Sequence, residues 1–360
     1  MKLLIKKERE KEMKKLDLPH KPAEYLCPVN GLADIYEWKK GERIPEELMH
    51  RVSRGFMLLR NEQNRLPQQI RLATGTIGKE QYEFWKTFMD YKIWHGEDKD
   101  FTETLDEVKV LINREIPVIL FGLDMYHLPY HQKFYQHMHI PGHIVLMVGY
   151  DDEGVLIHDN DKEDVQRINY ENLKLAWQES YLDLSKRNAY YGIEMQPTEK
   201  EPKEIMAAVL RQMAQAYLEP PLDFIGIKGI EKLRREMPAW TETYSKETMK
   251  GIYSDFITFT GSVLPGLPEP LAPLVPGLIN PHQAGRDRLA RALLTYEEIL
   301  GNESWGKAAQ LFIRSGEKIE GLVNLFVEAI CKEDYSNTPD IIEKLQEISA
   351  IEKLAYQTFL

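Results

Sequence analysis

Cysteine is nearly absent from this chain: its 360 residues include only Cys27 and Cys331. That scarcity excludes a disulfide framework and makes a reducing, cytoplasmic setting the expectation. Long apolar runs are missing too, and nothing approaches the roughly 18 consecutive apolar residues of a membrane span. The N-terminus, MKLLIKKEREKEMKK, is charged where a secretory leader carries its apolar core, so no signal peptide is expected. There is no excess of positive charge. Against 57 Asp and Glu stand 46 Lys and Arg, and the net −11 argues against a nucleic-acid partner. No internal repeat is visible. What the sequence does hold is core material: 43% apolar and 10% aromatic residues exclude a disordered chain. At roughly 100–200 residues per domain, the length accommodates two domains.

The chain divides into three stretches. Residues 1–22 form a charged arm, read either as a solvated helix laced with i,i+4 pairs or as a basic docking arm. Residues 23–197 are the first domain. Within them, 23–60 read as helical and 80–95 (EQYEFWKTFMDYKIWH) as aromatic-rich and partly helical. Pro117–Leu123 and Ile144–Tyr150 are short continuous apolar runs, the pattern of buried strands. Asp151-Asp152-Glu153-Gly154 is a turn signal, and Val155–His158 returns as the second arm of an antiparallel hairpin. Tyr190–Met195 is a further strand candidate. The stretch 196–203 (QPTEKEPK) reads as a linker. Residues 198–360 are helical in pattern. Ile205, Val209, Met213 and Tyr217, with Met206 and Leu210, form an i,i+4 stripe. Gly229–Met237 and Arg286–Leu300 are helix candidates, and Thr338-Pro339 is a helix start. Six prolines interrupt 261–285, which is too proline-rich for helix or central strand and too apolar to float freely. It reads as a wall or lid over a site or as an interdomain strap. The fold class expected is α+β: a helix carrying Cys27 on an antiparallel sheet, then a mostly helical domain.

The chemistry concentrates on Cys27. Pro28 follows it, and proline suits the first helical position, which puts Cys27 at a helix N-cap. A helix N-terminus carries partial positive charge and free N–H groups. Both favour a thiolate, and the same N–H groups can bind an oxyanion. The plainer alternative is that a free cysteine merely packs. His143 opens the strand GHIVLMVGY after Pro141-Gly142, where the sheet can hold its ring rigid. Asp159 ends the returning strand in VLIHDND and can accept from the imidazole. A cysteine nucleophile needs such a base, and the base needs a group to orient it. A simple turn at 151–154 would offset His143 and Asp159 by about three positions, on the order of 10 Å. The pairing therefore requires a bulge or a bend. Asn160 and Asp161 are alternative orienters, and His158 is a rival base.

The order Cys, His, Asp resembles that of papain-like cysteine enzymes. A narrower likeness lies in INREIPVILFGLDMYHLPYHQKFYQHMHIPGHIVLMVGYDDEGVLIHDND. This stretch resembles the N-terminal domain of the butirosin-biosynthesis H protein family. The likeness rests on the strand after Pro-Val, on Asp124, Tyr126, Leu128, Pro129 and Tyr130, on the Gly-His strand and on the Gly-Tyr-Asp turn. CPVNGL fits the family's Cys-x-x-Asn start, giving Cys27 and Asn30. Gly226–Trp240 and Ala284–Gly301 resemble the helical domain that accompanies it, so the likeness covers roughly residues 20–300. It implies an acyltransferase that takes an (amino)acyl group from a carrier-protein or CoA-type phosphopantetheine thioester and passes it to an amine acceptor. Carried over, Cys27 is nucleophile, His143 base and Asp159 orienter, with Asn30, Asp124, Tyr126 and Tyr130 at the oxyanion or substrate. No bound cofactor and no metal are implied. The chain departs from the family at Leu26, where members often carry His. Lys21 likewise stands where related peptidases place an oxyanion-hole glutamine.

Three other readings compete. Five of the ten histidines fall between His127 and His143, which raises zinc, but Pro129 and Pro141 interrupt them and no HExxH spacing is present. A papain-like peptidase or amidase shares the residue order, yet a minimal processing peptidase would lack the helical domain. A non-catalytic module on the same fold is the third. Cys331, on the apolar face of LVNLFVEAIC, is read as core. Partners expected are an acyl carrier protein or acyl-CoA and a small amine; neither nucleic acid nor membrane is expected, and the reading admits a homo-oligomer. The basic arm would steer an acidic carrier by charge. Removing residues 1–15 is then expected to weaken carrier binding and flatten its salt dependence in a titration from low to physiological salt. An unchanged salt response rejects the arm as a docking element.

Overall fold

The computed structural model describes residues 13–23, 27–49, 56–60, 66–72, 79–180, 185–197, 200–260 and 286–360. Residues 1–12 of the charged arm and the whole proline-rich stretch 261–285 lie outside the described residues, and with them the lid or strap reading. In chain order the elements are β1 (Lys14–Lys15), α1 (Cys27–Lys40), α2 (Glu46–Met49), β2 (Phe56–Arg60), β3 (Gln68–Leu72) and α3 (Lys79–Lys86). Then follow β4 (Tyr91–Gly96), α4 (Phe101–Asn113), β5 (Val118–Leu123), β6 (His143–Tyr150), β7 (Gly154–His158), β8 (Gln166–Asn169), α5 (Tyr170–Trp177) and β9 (Ala189–Met195). The remainder is helical: α6 (Pro202–Leu218), α7 (Gly226–Glu236), α8 (Trp240–Thr243), α9 (Lys246–Thr260), α10 (Arg286–Leu300), α11 (Glu303–Lys332) and α12 (Thr338–Gln357). No described helix is long and apolar enough to cross a membrane.

The chain forms two compact units. One comprises Met1–Met49 and Ile77–Pro202, the other His50–Thr76 and Lys203–Leu360. The first is built on a seven-stranded antiparallel sheet in the order β4-β9-β5-β6-β7-β8, with β1 also pairing β6. β5, β6 and β7 are buried along their whole length, which explains why they read as unbroken apolar runs. Helix α4 starts at Asp100, whose side chain accepts from the Thr102 N–H at 2.8 Å. In the second unit, β2 and β3 pair with each other, and Leu58 and Ile70 from them share a core with Ile230, Tyr253, Phe256 and Phe326. All six residues of the predicted α6 stripe are buried.

Three expectations fail locally. Phe56–Arg60 is a strand rather than helix and belongs with the helical unit, so the first domain is not continuous over 23–197. The hairpin covers apolar surface of α7 and α9 that would otherwise face water. The stretch 80–95 is partly helical as expected, divided between α3 and the strand Tyr91–Gly96, which is registered residue by residue against β9. The described end of the arm is extended, with Lys14 opposite Tyr150 and Lys15 opposite Gly149, and Leu16 and Leu18 are buried. Cys331 is exposed rather than core; Ala329 and Ile330 carry the buried face of α11 there.

Gly31 governs how closely α1 lies on the sheet. A Cβ on it would stand 3.0 Å from Leu146 Cβ and 3.6 Å from Ile119 Cγ1. Gly31→Val is expected to destabilise the protein by about 1–3 kcal/mol through overpacking, with Gly31→Ala markedly milder. Urea unfolding checks this; equal stability of the valine variant and the wild type would refute the close approach.

Candidate functional site

Cys27 is the first residue of α1, one position inside the N-cap expected from Pro28, a difference within the ordinary uncertainty of helix ends. It is half-buried. Cys27, Gly31 and Asp34 follow one another at i, i+4 and i+7, so they share one stripe of the helix. The missing side chain at Gly31 lets that stripe settle on β6.

His143 begins β6 directly after Gly142, whose φ of +86° suits a residue without Cβ. Two bulges shape its surroundings. In β5 the register shifts between Phe121 and Leu123, around Gly122 at φ +87°, and this sets Leu123 opposite His143. In the β6–β7 hairpin, Tyr150 pairs with Val155 and Gly149 with Leu156, but Met147 pairs with Ile157 and Leu146 with His158. Without that shift His158 would lie opposite Met147. Extended by one residue, the shift reduces the offset between His143 and Asp159 from three positions to two. His143 Nε2 then reaches Asp159 Oδ2 at 2.8 Å. The Cys27 thiol is among the groups that raise the pKa of the same imidazole. With Nε2 turned to the carboxylate, Nδ1 is the nitrogen left for sulfur.

Asp159 Oδ2 gathers more than His143. Tyr130 donates its hydroxyl at 2.7 Å, and His131 Nε2 lies at 3.0 Å. The His131 and His143 rings meet edge to face, 5.2 Å apart. His131 Nδ1 is 3.6 Å from Asp161 Oδ2. The sequence reading counted His131 only among candidate metal ligands. The available signal was its position directly after Tyr130 in the Leu-Pro-Tyr element.

The predicted substrate residues separate. Tyr130 sits in the site. Asn30 is buried, and its amide nitrogen donates to the Lys21 carbonyl and to Glu46 Oε1, both at 2.9 Å. Both amide hydrogens are thereby engaged, so Asn30 is corrected from oxyanion donor to anchor of the segment before Cys27. Asp124 Oδ1 accepts the N–H groups of Tyr126 and Ile140 at 3.0 Å each, and Oδ2 holds His139 Nδ1 at 2.6 Å. It organises the 124–142 loop. Tyr126 stacks on His139 at 4.0 Å. Of the rivals, Asn160 donates to the Ala23 carbonyl at 3.3 Å, and His158 Nδ1 faces Asp34 Oδ2 at 3.0 Å. Neither touches His143 in the contacts observed.

Burial by itself would lower the pKa of His143; the charge and hydrogen bond of Asp159 outweigh it, with a further contribution from Cys27, and raise it well above the ordinary value. Burial would raise Asp159, but the charge and hydrogen bonds of His143 and His131 hold it well below the usual carboxylate range. Burial first, then the neighbouring Asp159, push the Tyr130 phenol up, so it stays a donor. Two groups have the donor composition of a metal site: His131, His143 and Asp159, and His20, Asp34 and His158. In each, the donors already face one another in hydrogen bonds, and Asp34 Oδ1 carries the Arg43 guanidinium at 2.9 Å. A dication beside that guanidinium, or one displacing Tyr130 from Asp159, would disrupt a satisfied network.

Residues 26–160 match the family model "Butirosin biosynthesis protein H, N-terminal", and residues 171–260 match a domain of unknown function, DUF4872. The first match spans Cys27, His143 and Asp159. The second includes Gly226–Trp240, whereas Ala284–Gly301 lies in neither. It also begins within the sheet-bearing unit, at α5, so the boundary between matched domains is not the boundary between compact units. No curated protein matches the chain.

The electrostatics fix a sign. A raised His143 contributes stability below the ordinary histidine pKa and loses it as pH rises through its folded value. A depressed Asp159 contributes above the ordinary carboxylate pKa and loses it as pH falls through its own. Stability from this pair therefore spans neutral pH and erodes at both ends. In ring-labelled histidine NMR, Asp159→Asn is expected to move the His143 titration to lower pH, and by more than Cys27→Ala does. A His143 titration indifferent to Asp159→Asn would refute the coupling.

Proposed function

From a chain whose residues 26–160 belong to the butirosin biosynthesis protein H N-terminal family, we propose a cysteine acyltransferase of biosynthetic metabolism with a papain-like catalytic arrangement. The donor is a phosphopantetheine thioester on an acyl carrier protein or CoA, and the acceptor is a small amine. The observation that carries the reading is the 2.8 Å bond from His143 Nε2 to Asp159 Oδ2, on an imidazole whose pKa the Cys27 thiol also helps to raise. A helix with cysteine at its start, packed on an antiparallel sheet that supplies histidine and aspartate, is the papain-like plan. Membership of residues 26–160 in a family described by a biosynthetic role supports biosynthesis over protein turnover.

The steps follow from the geometry. His143 Nδ1 takes the proton of the Cys27 thiol, while Nε2–H donates to Asp159 and keeps the ring oriented. Asp159 stays anionic and steadies the imidazolium. The thiolate adds to the thioester carbonyl, and the oxyanion formed meets the free N–H groups at the start of α1. The tetrahedral adduct collapses by breaking the bond to the phosphopantetheine sulfur, which leaves as a thiol with the proton from His143. This exchange of one thioester for another is near-neutral in energy, so the acyl-enzyme forms reversibly. The amine then attacks the Cys27 thioester and gives its proton to His143. Collapse yields an amide and regenerates the thiol. Exclusion of water favours the amine over hydrolysis.

His131 and Tyr130 support the base indirectly. Both donate to the oxygen that accepts from His143, so they fix where Asp159 stands. The test uses an acyl thioester of a short pantetheine analogue and mass spectrometry of the intact protein. A mass gain of one acyl group is expected on the Cys27 peptide, absent in Cys27→Ala and discharged by added amine. His143→Ala should slow its formation by about 10²–10⁴-fold. Failure of carrier-protein, CoA and pantetheine thioesters alike to label Cys27 would refute the reading, and discharge by water alone would make it a hydrolase.

A further inference from the structure

A second histidine–carboxylate group stands outside the reactive set. His20 Nδ1 is 2.6 Å from Asp34 Oδ2. His20 Nε2 is 2.8 Å from the Lys162 carbonyl oxygen and 3.1 Å from that of Asp159. Every polar contact of this ring is thus an acceptor. A neutral imidazole has one N–H, so either tautomer would aim a lone pair at an oxygen. Only the doubly protonated ring donates at both ends and leaves no repulsive contact.

The two ends of His20 grip different elements. Asp34 is on α1, on the same stripe as Cys27 and two turns further along. Asp159 and Lys162 belong to the turn after β7, where the Asp159 side chain meets His143. We propose that His20, held as an imidazolium, is a positioning residue that ties the helix bearing Cys27 to the turn bearing Asp159. The proposal rests on the reading of Cys27, His143 and Asp159 as the reactive set. The Asp159 residue is then restrained twice, through its carbonyl by His20 and through its carboxylate by His143, His131 and Tyr130.

The groups facing His20 agree with a cation. Asp34 is fully buried and anionic: burial would raise its pKa, but hydrogen bonds from His158 and His20 with the charges of His20 and Arg43 lower it. Arg43 Nη1 bonds Asp34 Oδ1 at 2.9 Å and Glu37 Oε2 at 2.8 Å, and Arg43 also pairs with Glu46. The His158 ring stacks on His20 at 4.3 Å and reaches the same Asp34 oxygen through Nδ1, a contact that one N–H satisfies. Burial works against charging His20, but its bond to Asp34, the Asp34 charge and the two carbonyls raise its pKa. The clamp therefore contributes below the ordinary histidine pKa, as long as Asp34 stays ionised, and is lost as pH rises through the folded value of His20.

Two measurements test the proposal. In wild-type protein with ring-labelled histidine, His20 is expected to carry two N–H groups at pH 7; a single N–H there overturns the proposal. In His20→Ala, the His143 titration should fall toward the ordinary histidine value, and alkylation of Cys27 by neutral iodoacetamide should slow at least tenfold. His20→Gln, whose amide can still donate to the two carbonyls, should recover part of that loss, which a merely structural side chain would not explain. A His143 titration and Cys27 alkylation both unchanged in His20→Ala overturn the proposal even if acyl transfer is found. Conversely, a wild type that takes no acyl group but shows these His20 effects refutes the transferase reading and leaves the clamp standing.

Discussion

Oδ2 of Asp159, a single buried oxygen, accepts from His143, His131 and Tyr130. A carboxylate removed from water is costly unless it is paired and hydrogen-bonded. Here the compensation dictates the layout. Each donor must come from a fixed place, so the start of β6, the loop after β5 and the turn after β7 converge on one point. The depressed pKa of Asp159 and the raised pKa of His143 are two views of that convergence.

The sheet is bent to suit it. Gly122 and the shift near Val148 place bulges on both sides of the strand that His143 opens. Bulges bend strands and re-aim side chains, and they occur beside active sites. Helix α1 completes the arrangement from the other side. Its stripe carries Cys27 at the end, Gly31 where the backbone approaches Leu146, and Asp34 where His20 and His158 hold it. One helical face thus carries Cys27 at its start, lies close on the sheet at Gly31, and is anchored through Asp34 two turns away.

The segment before α1 shows how far charge counts can mislead. Its described residues, 13–23, hold a short strand, a buried leucine pair and then His20. Lysines on an extended edge keep their charges in water while Leu16 and Leu18 fill the interior. The β2–β3 hairpin is similar in kind: FMLLR reads as helix or strand alone, and apolar surface on α7 and α9 decides.

Several features were legible in the residues. The apolar runs at β5, β6 and β7, the α6 stripe, the helix starting beside Pro28 and the Cys, His, Asp order all follow from local rules of periodicity and capping. The family likeness over residues 26–160 was legible too, because it rests on those same local motifs. Other features were not. The sequence favoured Asp159 as orienter but left Asn160 and Asp161 open, since excluding them requires a hairpin register that a one-residue bulge changes. It assigned Asn30 to an oxyanion, although the Lys21 carbonyl and Glu46 occupy its amide. It passed over His131 and His20, because neither histidine's value lies in its neighbours along the chain. Sequence fixes which groups exist and which short elements they begin; only the folded packing decides which polar groups lose water together, and buried charge then selects the partners.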